Sequence, residues 1–377
     1  MDSIARLMRP CRSAAWRLGL LTDPTKAAAR AVERLLDSRG RELFRSSCVP
    51  GLVVEVRFAQ GPTIQRAFGT AGAAGDMRPD VVFPALSITK PVTAFCAMAL
   101  VERGVLSLDE PVWRRIRSWR LPPHRTGGHS LDGITLRRLL SHSAGLNVHG
   151  YGGSAPGESP RARDLLDREL EEARTLRVID VPGAAVHYSG GAFVLVQLLI
   201  EDATGLPFER VARETVLGPL GMASSDYELP PTLASRLATG HDDRGSPVPA
   251  RRLAATAASG LHATAPDLAT FWGALVRGSN GELPGRGVIS PASCAEMLSP
   301  HIPDEKGGAY GFGFYLKRQR SELRFMHAGY DPGWHGFAEG LFHRRVVVVL
   351  LSNGDRGKGC VPPLARELRR TLYDLAL

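Results

Sequence analysis

Phe83-Pro84-Ala85-Leu86-Ser87-Ile88-Thr89-Lys90-Pro91 is the stretch on which the reading of this chain turns. An extended lead-in from Val81 to Ala85 meets an almost wholly apolar run from Val92 to Val101, the pattern of a buried helix. Pro91 is tolerated only near the first turn of a helix, which pins Ser87 to its N-terminus. Residues three apart share a helix face, so the Lys90 amine can reach the Ser87 hydroxyl. A serine hydroxyl is a weak nucleophile until a neighbour takes its proton, and a lysine whose pKa is lowered by burial can do so. The free N–H groups and dipole of a helix start favour developing negative charge. Spacing alone also fits an ordinary helix start, so the rest of the chain decides.

The 377 residues suffice for a sizeable core in one large domain or two, and 44% hydrophobic against 23% charged is a globular balance. The formal charge of +9 comes from arginines spread along the whole length. No basic run interleaved with aromatics and no zinc-finger spacing accompanies them, which argues against nucleic-acid binding. Cys11, Cys48, Cys96, Cys294 and Cys360 are odd in number and scattered, which fits a reducing compartment and no disulfide framework. Arg17 interrupts what would be a signal-peptide core, and no 18-residue apolar stretch follows. The expectation is a cytoplasmic protein without an integral membrane segment.

Residues 1 to about 24 read as an N-terminal extension, and Thr25 to about Arg45 as a helix with Ala29, Val32, Leu35 and Leu36 at helical spacing. Leu52 to Ala59 and Thr63 to Phe68 flank Gln60-Gly61-Pro62 as a hairpin. A mainly helical and loopy stretch follows, with a short helix at Leu136 to Leu140 and an apolar one at Phe193 to Ala203. Asn147 to Pro160, rich in Gly, Ser and Pro, reads as an exposed loop. Strands are expected at Tyr310 to Lys317, Leu323 to Ala328, Trp334 to Ala338 and Val346 to Leu351, and a closing helix at Leu364 to Leu375. Short turns between the late strands imply an antiparallel sheet, which the two early strands must join across the helical insertion.

Two further motifs fall in order behind Ser87. Pro182-Gly183 introduces His187-Tyr188-Ser189-Gly190-Gly191 before an apolar helix, and His327-Ala328-Gly329 ends a late strand. With Ser87-Ile88-Thr89-Lys90 they resemble the motifs of the serine β-lactamase and penicillin-binding-protein superfamily, above all its class C β-lactamase and family VIII esterase branch. Leu139-Leu140-Ser141-His142-Ser143-Ala144-Gly145, Leu217-Gly218-Pro219-Leu220-Gly221, Ala258-Ser259-Gly260-Leu261 and Leu351-Ser352-Asn353-Gly354 add to the resemblance, which covers roughly residues 47 to 375.

The resemblance implies an α+β fold: an antiparallel β-sheet flanked by terminal helices, with an inserted all-helical region and the active site between them. The domain would run over 25–377, with the sheet region at about 46–86 and 300–377 and the helical region at about 87–299. It implies Ser87 as nucleophile, Lys90 as its proton partner, and Tyr188 in the relay, as a phenolate stabilised by Lys90. The backbone N–H groups of Ser87 and Tyr330 would hold the oxyanion, and Gly329 belongs to the same strand. His327 stands where β-lactamases carry a lysine, and histidine near neutral pH is mostly uncharged. Gly190 stands where class C enzymes carry an asparagine.

Both departures weaken recognition of a carboxylate-bearing β-lactam and favour uncharged esters or amides. His142 reads as a structural loop residue. His149 and Tyr151 lie on a loop that approaches the acyl pocket, and Trp334 and His335 either line the leaving-group side or pack an edge strand. The expected activity is a carboxylesterase on small esters, through a covalent acyl-enzyme. A β-lactamase, a D-amino-acid peptidase, an acyltransferase and a non-catalytic scaffold remain as alternatives. Neither a His-Glu-x-x-His metal motif nor a Gly-x-Ser-x-Gly elbow is present, and no metal or cofactor is expected.

Overall fold

A computed structural model describes residues 24–152, 161–167, 174–249 and 254–374. The expected N-terminal extension up to residue 23, and the 153–160 part of the expected exposed loop, lie outside the described residues. The strands are β1 (Gly51–Phe58), β2 (Thr63–Gly72), β3 (Gly75–Asp76), β4 (Phe83–Pro84), β5 (Gly240–His241), β6 (Pro247–Val248) and β7 (His262–Ala263). After the helical region come β8 (Ile302–Asp304), β9 (Gly308–Tyr310), β10 (Tyr315–Gln319), β11 (Glu322–Asp331), β12 (Trp334–Leu341) and β13 (Val346–Ser352).

Nine of them form one antiparallel sheet in the order β3-β2-β1-β13-β12-β11-β10-β9-β8. The join across the insertion is β1 on β13, in the register Leu52↔Ser352 to Phe58↔Val346. Side chains alternate faces along a strand, and here both faces are covered. Leu52, Val54 and Val56, with Val346, Val348 and Leu350, pack against Ala28, Val32 and Leu36 and against Leu364 and Leu368 of the closing helix Val361–Asp374. Val53, Val347, Val349 and Leu351 face the opposite way, into the core shared with the helical region. Two buried faces explain why β13 reads as a continuous apolar run rather than an alternating one. Truncating Leu364 to alanine would cost ~2–5 kcal/mol, the usual range for a fully buried leucine.

The expected strand Tyr310 to Lys317 is two strands. Between β9 and β10 the chain turns inward at Gly313, with φ +75°, so close under the start of the Ser87 helix that a Cβ there would lie 2.9 Å from Pro91 Cα. The Gly313 N–H donates to the Leu140 carbonyl, and the Phe312 N–H to that of Met297, so these backbone groups serve the helical region and not the sheet.

The helix Thr89–Glu102 is buried from Thr89 through Leu100 and crosses the middle of the molecule. The helix Gly190–Thr204, capped by Ser189 and closed by left-handed Gly205, packs beside it. Among the described residues no single helix is long and apolar enough to cross a membrane. Cys48, Cys96, Cys294 and Cys360 carry free thiols, and Cys96 is wholly buried in the Thr89–Glu102 helix.

Candidate active site

Ser87 sits in the single 3₁₀ turn Leu86–Ile88 that leads into the helix Thr89–Glu102, with Pro91 in its first turn. Leu86, just before it, takes φ +54°, a left-handed conformation that a leucine holds only when its surroundings fix it. Lys90 Nζ lies 3.0 Å from Ser87 Oγ and donates to the Ala258 carbonyl at 2.9 Å. Among the described residues no carboxylate bonds this amine, and burial pulls its pKa from 10.5 down to about 7. It is therefore near the point of becoming neutral at physiological pH.

Tyr188 comes to the same place from the residue before the Ser189 N-cap. Its ring lies 5.1 Å from Lys90 Nζ, and its hydroxyl shares a hydrogen bond with Ser87. Burial pushes the phenol up to about 12, more than the Ser87 bond lowers it. Desolvation disfavours whichever form is charged, so it makes the lysine easier to neutralise and the tyrosine harder to ionise. Burial thus favours a neutral amine and a neutral phenol in the resting site.

His142, at φ +57°, accepts the Ser189 N–H on Nδ1 at 3.1 Å and stacks 4.3 Å from the Tyr188 ring, so the loop histidine holds the tyrosine in place.

β11 supplies the third wall. β10 pairs with it only as far as Tyr315↔Met326, so from His327 to Tyr330 that edge lacks a β10 partner. Gly329 presses against the turn carrying Ser87: a Cβ there would stand 2.8 Å from the Ala85 carbonyl oxygen and 3.4 Å from the Ser87 nitrogen. Tyr330, next along, lines both clefts that meet at Ser87. His327 is 6% exposed, and burial together with the nearby Lys90 charge pulls its pKa down to about 3. At neutral pH it carries no charge.

One cleft, of about 310 Å³, lies between Ser87, His149, Tyr151, Gly190 and Ser259, with Arg174 at its edge. Gly190 donates its N–H to the His149 carbonyl, and a Cβ on it would stand 2.8 Å from that oxygen. The space in which a larger side chain would project is thus filled by the loop backbone. His149 is exposed, with its ring 4.9 Å from that of Tyr188. Tyr151, expected on an exposed loop, is 8% exposed because the chain at Val148–Gly150 folds down on the helix start.

The second cleft, of about 540 Å³, runs from Ser87 along the free edge of β11. His335 lines it. Trp334 lines neither cleft: it is buried at 4% exposure against Gly240, where a Cβ would meet its ring at 2.4 Å. For Trp334 the packing alternative describes the structure.

Sequence reasoning did not single out the Ala258 carbonyl that holds Lys90, nor Ser259, nor Tyr310 and Tyr315 in the second cleft. Ala258-Ser259-Gly260 carried a signal, as a motif of the resembled family. The tyrosines carried none, because their neighbourhood arises only from strand pairing.

The beta-lactamase family profile matches residues 29–372. Protein Rv1367c of Mycobacterium tuberculosis is 31% identical over 256 residues, covering 61% of this chain and 62% of that protein. Esterase EstB of Burkholderia gladioli is 32% identical over 218 residues, covering 54% of each. The chain thus spans less than two thirds of the length of these curated relatives. The solved structure of an octameric penicillin-binding protein homologue from Pyrococcus abyssi superposes with a TM-score of 0.71 at 25% identity, covering 85% of this chain and 73% of that one. With the family profile running through nearly the whole described chain, the protein belongs to the beta-lactamase family.

Proposed function

We propose that this chain is a serine carboxylesterase that acts on small uncharged esters through a covalent acyl-enzyme. The observation that carries the reading is Lys90: buried, without a carboxylate partner among the described residues, poised at about 7 and 3.0 Å from the Ser87 hydroxyl. A neutral Lys90 takes the Ser87 proton as Oγ forms its bond to the ester carbonyl. The oxyanion is held by the N–H groups of Ser87 and Tyr330, an arrangement favoured by the close packing of Gly329 on the Ser87 turn.

As the carbonyl re-forms, the ester C–O bond breaks and the neutral Tyr188 phenol gives its proton to the departing alkoxide. The protonated Lys90, beside the Tyr188 ring, returns its proton to the Tyr188 phenolate, so both groups are neutral again. Water then attacks the acyl-enzyme, with Lys90 again as base, and releases the acid. His327 and Gly190 support the choice of substrate. The former offers no cation to a carboxylate, and the latter leaves no side chain to bond an acyl amide. EstB is an esterase by name, which agrees.

The test is a fluorophosphonate probe read by intact-protein mass, beside turnover of short acyl esters and a chromogenic cephalosporin. One adduct, lost in Ser87→Ala, and ester turnover well above cephalosporin turnover are expected. Labelling that survives Ser87→Ala would refute the nucleophile. Preference for the cephalosporin over every ester would refute the esterase assignment.

A further inference from the structure

We propose that the cleft along the edge of β11 is a leaving-group site for an uncharged aromatic alcohol carrying a hydrogen-bond donor, which His327 Nε2 accepts. The inference rests on the serine-esterase reading and deepens it.

The two clefts at Ser87 are not equivalent. The group that protonates the departing alkoxide must touch it, and Tyr188 lines only the larger cleft. The alcohol half of the ester therefore belongs there, and the acyl half in the smaller cleft beside Gly190.

The larger cleft has aromatic walls. Tyr310, Tyr315 and Met326 stand in one register row across β9, β10 and β11, with Phe337 on β12 beyond them. The Tyr310 and Tyr315 rings meet edge to face at 5.4 Å, and Tyr188 lies 6.4 Å from Tyr310. Flat rings at such angles receive another ring edge-on or offset-stacked. A volume of about 540 Å³ readily holds a substituted benzyl group.

The same cleft is uncharged. Among the described residues no Asp, Glu, Lys or Arg lines it, whereas the smaller cleft has Lys90, Arg174 and Asp331. Burial lowers the pKa of all three of its histidines, His149, His327 and His335, so each is neutral at pH ~7. Asp304 is bonded to the hydroxyl of Tyr315 and Asp355 to that of Tyr330, two residues of the cleft wall, and both carboxylates would repel an anionic ligand. The charge pattern excludes a carboxylate and offers nothing to a cation within the walls.

One polar feature gives the site a direction. His327 Nδ1 lies 2.8 Å from the Ala328 carbonyl oxygen, which only accepts, so Nδ1 carries the proton. Nε2 is then a bare lone pair. It has no partner among the described residues, and His327 lines the cleft. A lysine at this place would donate. This histidine accepts, and the complementary ligand group is a hydroxyl or N–H on the alcohol.

The test uses acetate esters whose alcohols differ little in acidity: meta-hydroxybenzyl, meta-methoxybenzyl and meta-carboxybenzyl, with ethyl acetate as the small reference. The hydroxybenzyl ester should exceed the methoxybenzyl ester in kcat/KM by about fivefold to tenfold, the usual worth of one hydrogen bond. The carboxybenzyl ester should fall at least about tenfold below both. Tyr315→Ala should cut the benzyl-over-ethyl preference roughly severalfold and leave acyl chain-length preference unchanged.

Binding of meta-hydroxybenzyl alcohol, followed by ligand-observed NMR, tests the cleft without turnover and should weaken in Tyr315→Ala. Equal turnover of the three benzyl esters, or preference for the carboxybenzyl ester, overturns the proposal and leaves the esterase reading standing. Alcohol binding at this cleft in a protein that hydrolyses no ester overturns the esterase reading and keeps the site. Neither binding nor turnover overturns both.

Discussion

Gly329 and Leu86 are packed backbone to side chain: a Cβ on Gly329 would stand 2.9 Å from the Leu86 Cβ and nearer still to the Ala85 carbonyl. This contact sets the distance between the β11 edge and the turn carrying Ser87, and with it the spacing of the two backbone donors proposed for the oxyanion. Gly329→Ala should push the strand away and lower kcat by roughly 10²–10³, the cost of one lost oxyanion donor, with KM changed far less. An unchanged melting temperature beside the lost rate would separate this from unfolding. A fully active variant would show that β11 does not hold the oxyanion.

The depressed pKa of Lys90 makes a statement about rate and another about stability. As base it must be neutral, so kcat/KM for a neutral ester should rise with pH on a limb centred near about 7. Unfolded, the lysine regains its ordinary value of 10.5 and binds a proton that the folded form releases above about 7. Stability attributable to this group thus increases between those values, and the full penalty of a charged buried amine falls below about 7. Lys90→Met should be inactive yet melt higher than wild type near pH ~6, by roughly 2 kcal/mol, with the gain shrinking toward pH ~10. A gain that grows with pH would contradict the assignment.

Tyr188→Phe keeps the ring against His142 and removes only the hydroxyl, so folding should change little. If Tyr188 serves as the acid that protonates the alkoxide, the loss should be about 10²–10⁴ for alkyl esters. It should be much smaller for nitrophenyl esters, whose leaving group needs no proton. Equal losses on both would make Tyr188 a positioning residue for Ser87 instead.

His327→Lys would place a second cation near Lys90, whose charge already acts on His327. The amine of Lys90 should become harder to protonate, moving the acidic limb of the rate profile to lower pH. Relative activity on a carboxylate-bearing cephalosporin should improve by about tenfold at most, and less at high salt. A limb that stays in place would mean the two groups are electrostatically independent.

Gly190→Asn is expected to lose stability rather than gain β-lactam recognition, by roughly 1–3 kcal/mol, because its Cβ would collide with the His149 carbonyl. Thermal denaturation and cephalosporin turnover of this variant read the two effects separately.

The sequence by itself determined what depends on neighbours along the chain. Helical spacing put Lys90 beside Ser87, Pro91 fixed the helix start, and the apolar run from Phe193 marked a helix behind Tyr188. The apolar runs of β1 and β13 marked both as strands, and the need for a sheet of normal size required them to meet. Tertiary structure decided everything set by burial or by contact between distant segments. Gly313 split an expected strand because it had to pass under Pro91, and Tyr151 was drawn inside because its loop folds onto the Gly190 helix start. Trp334 went to the core against Gly240, and Tyr310 met Tyr315 only through pairing of β9 with β10. The order of the Lys90 and Tyr188 pKa values belongs to the same class. Residue type names the groups, but desolvation in the assembled site lowers the one and raises the other.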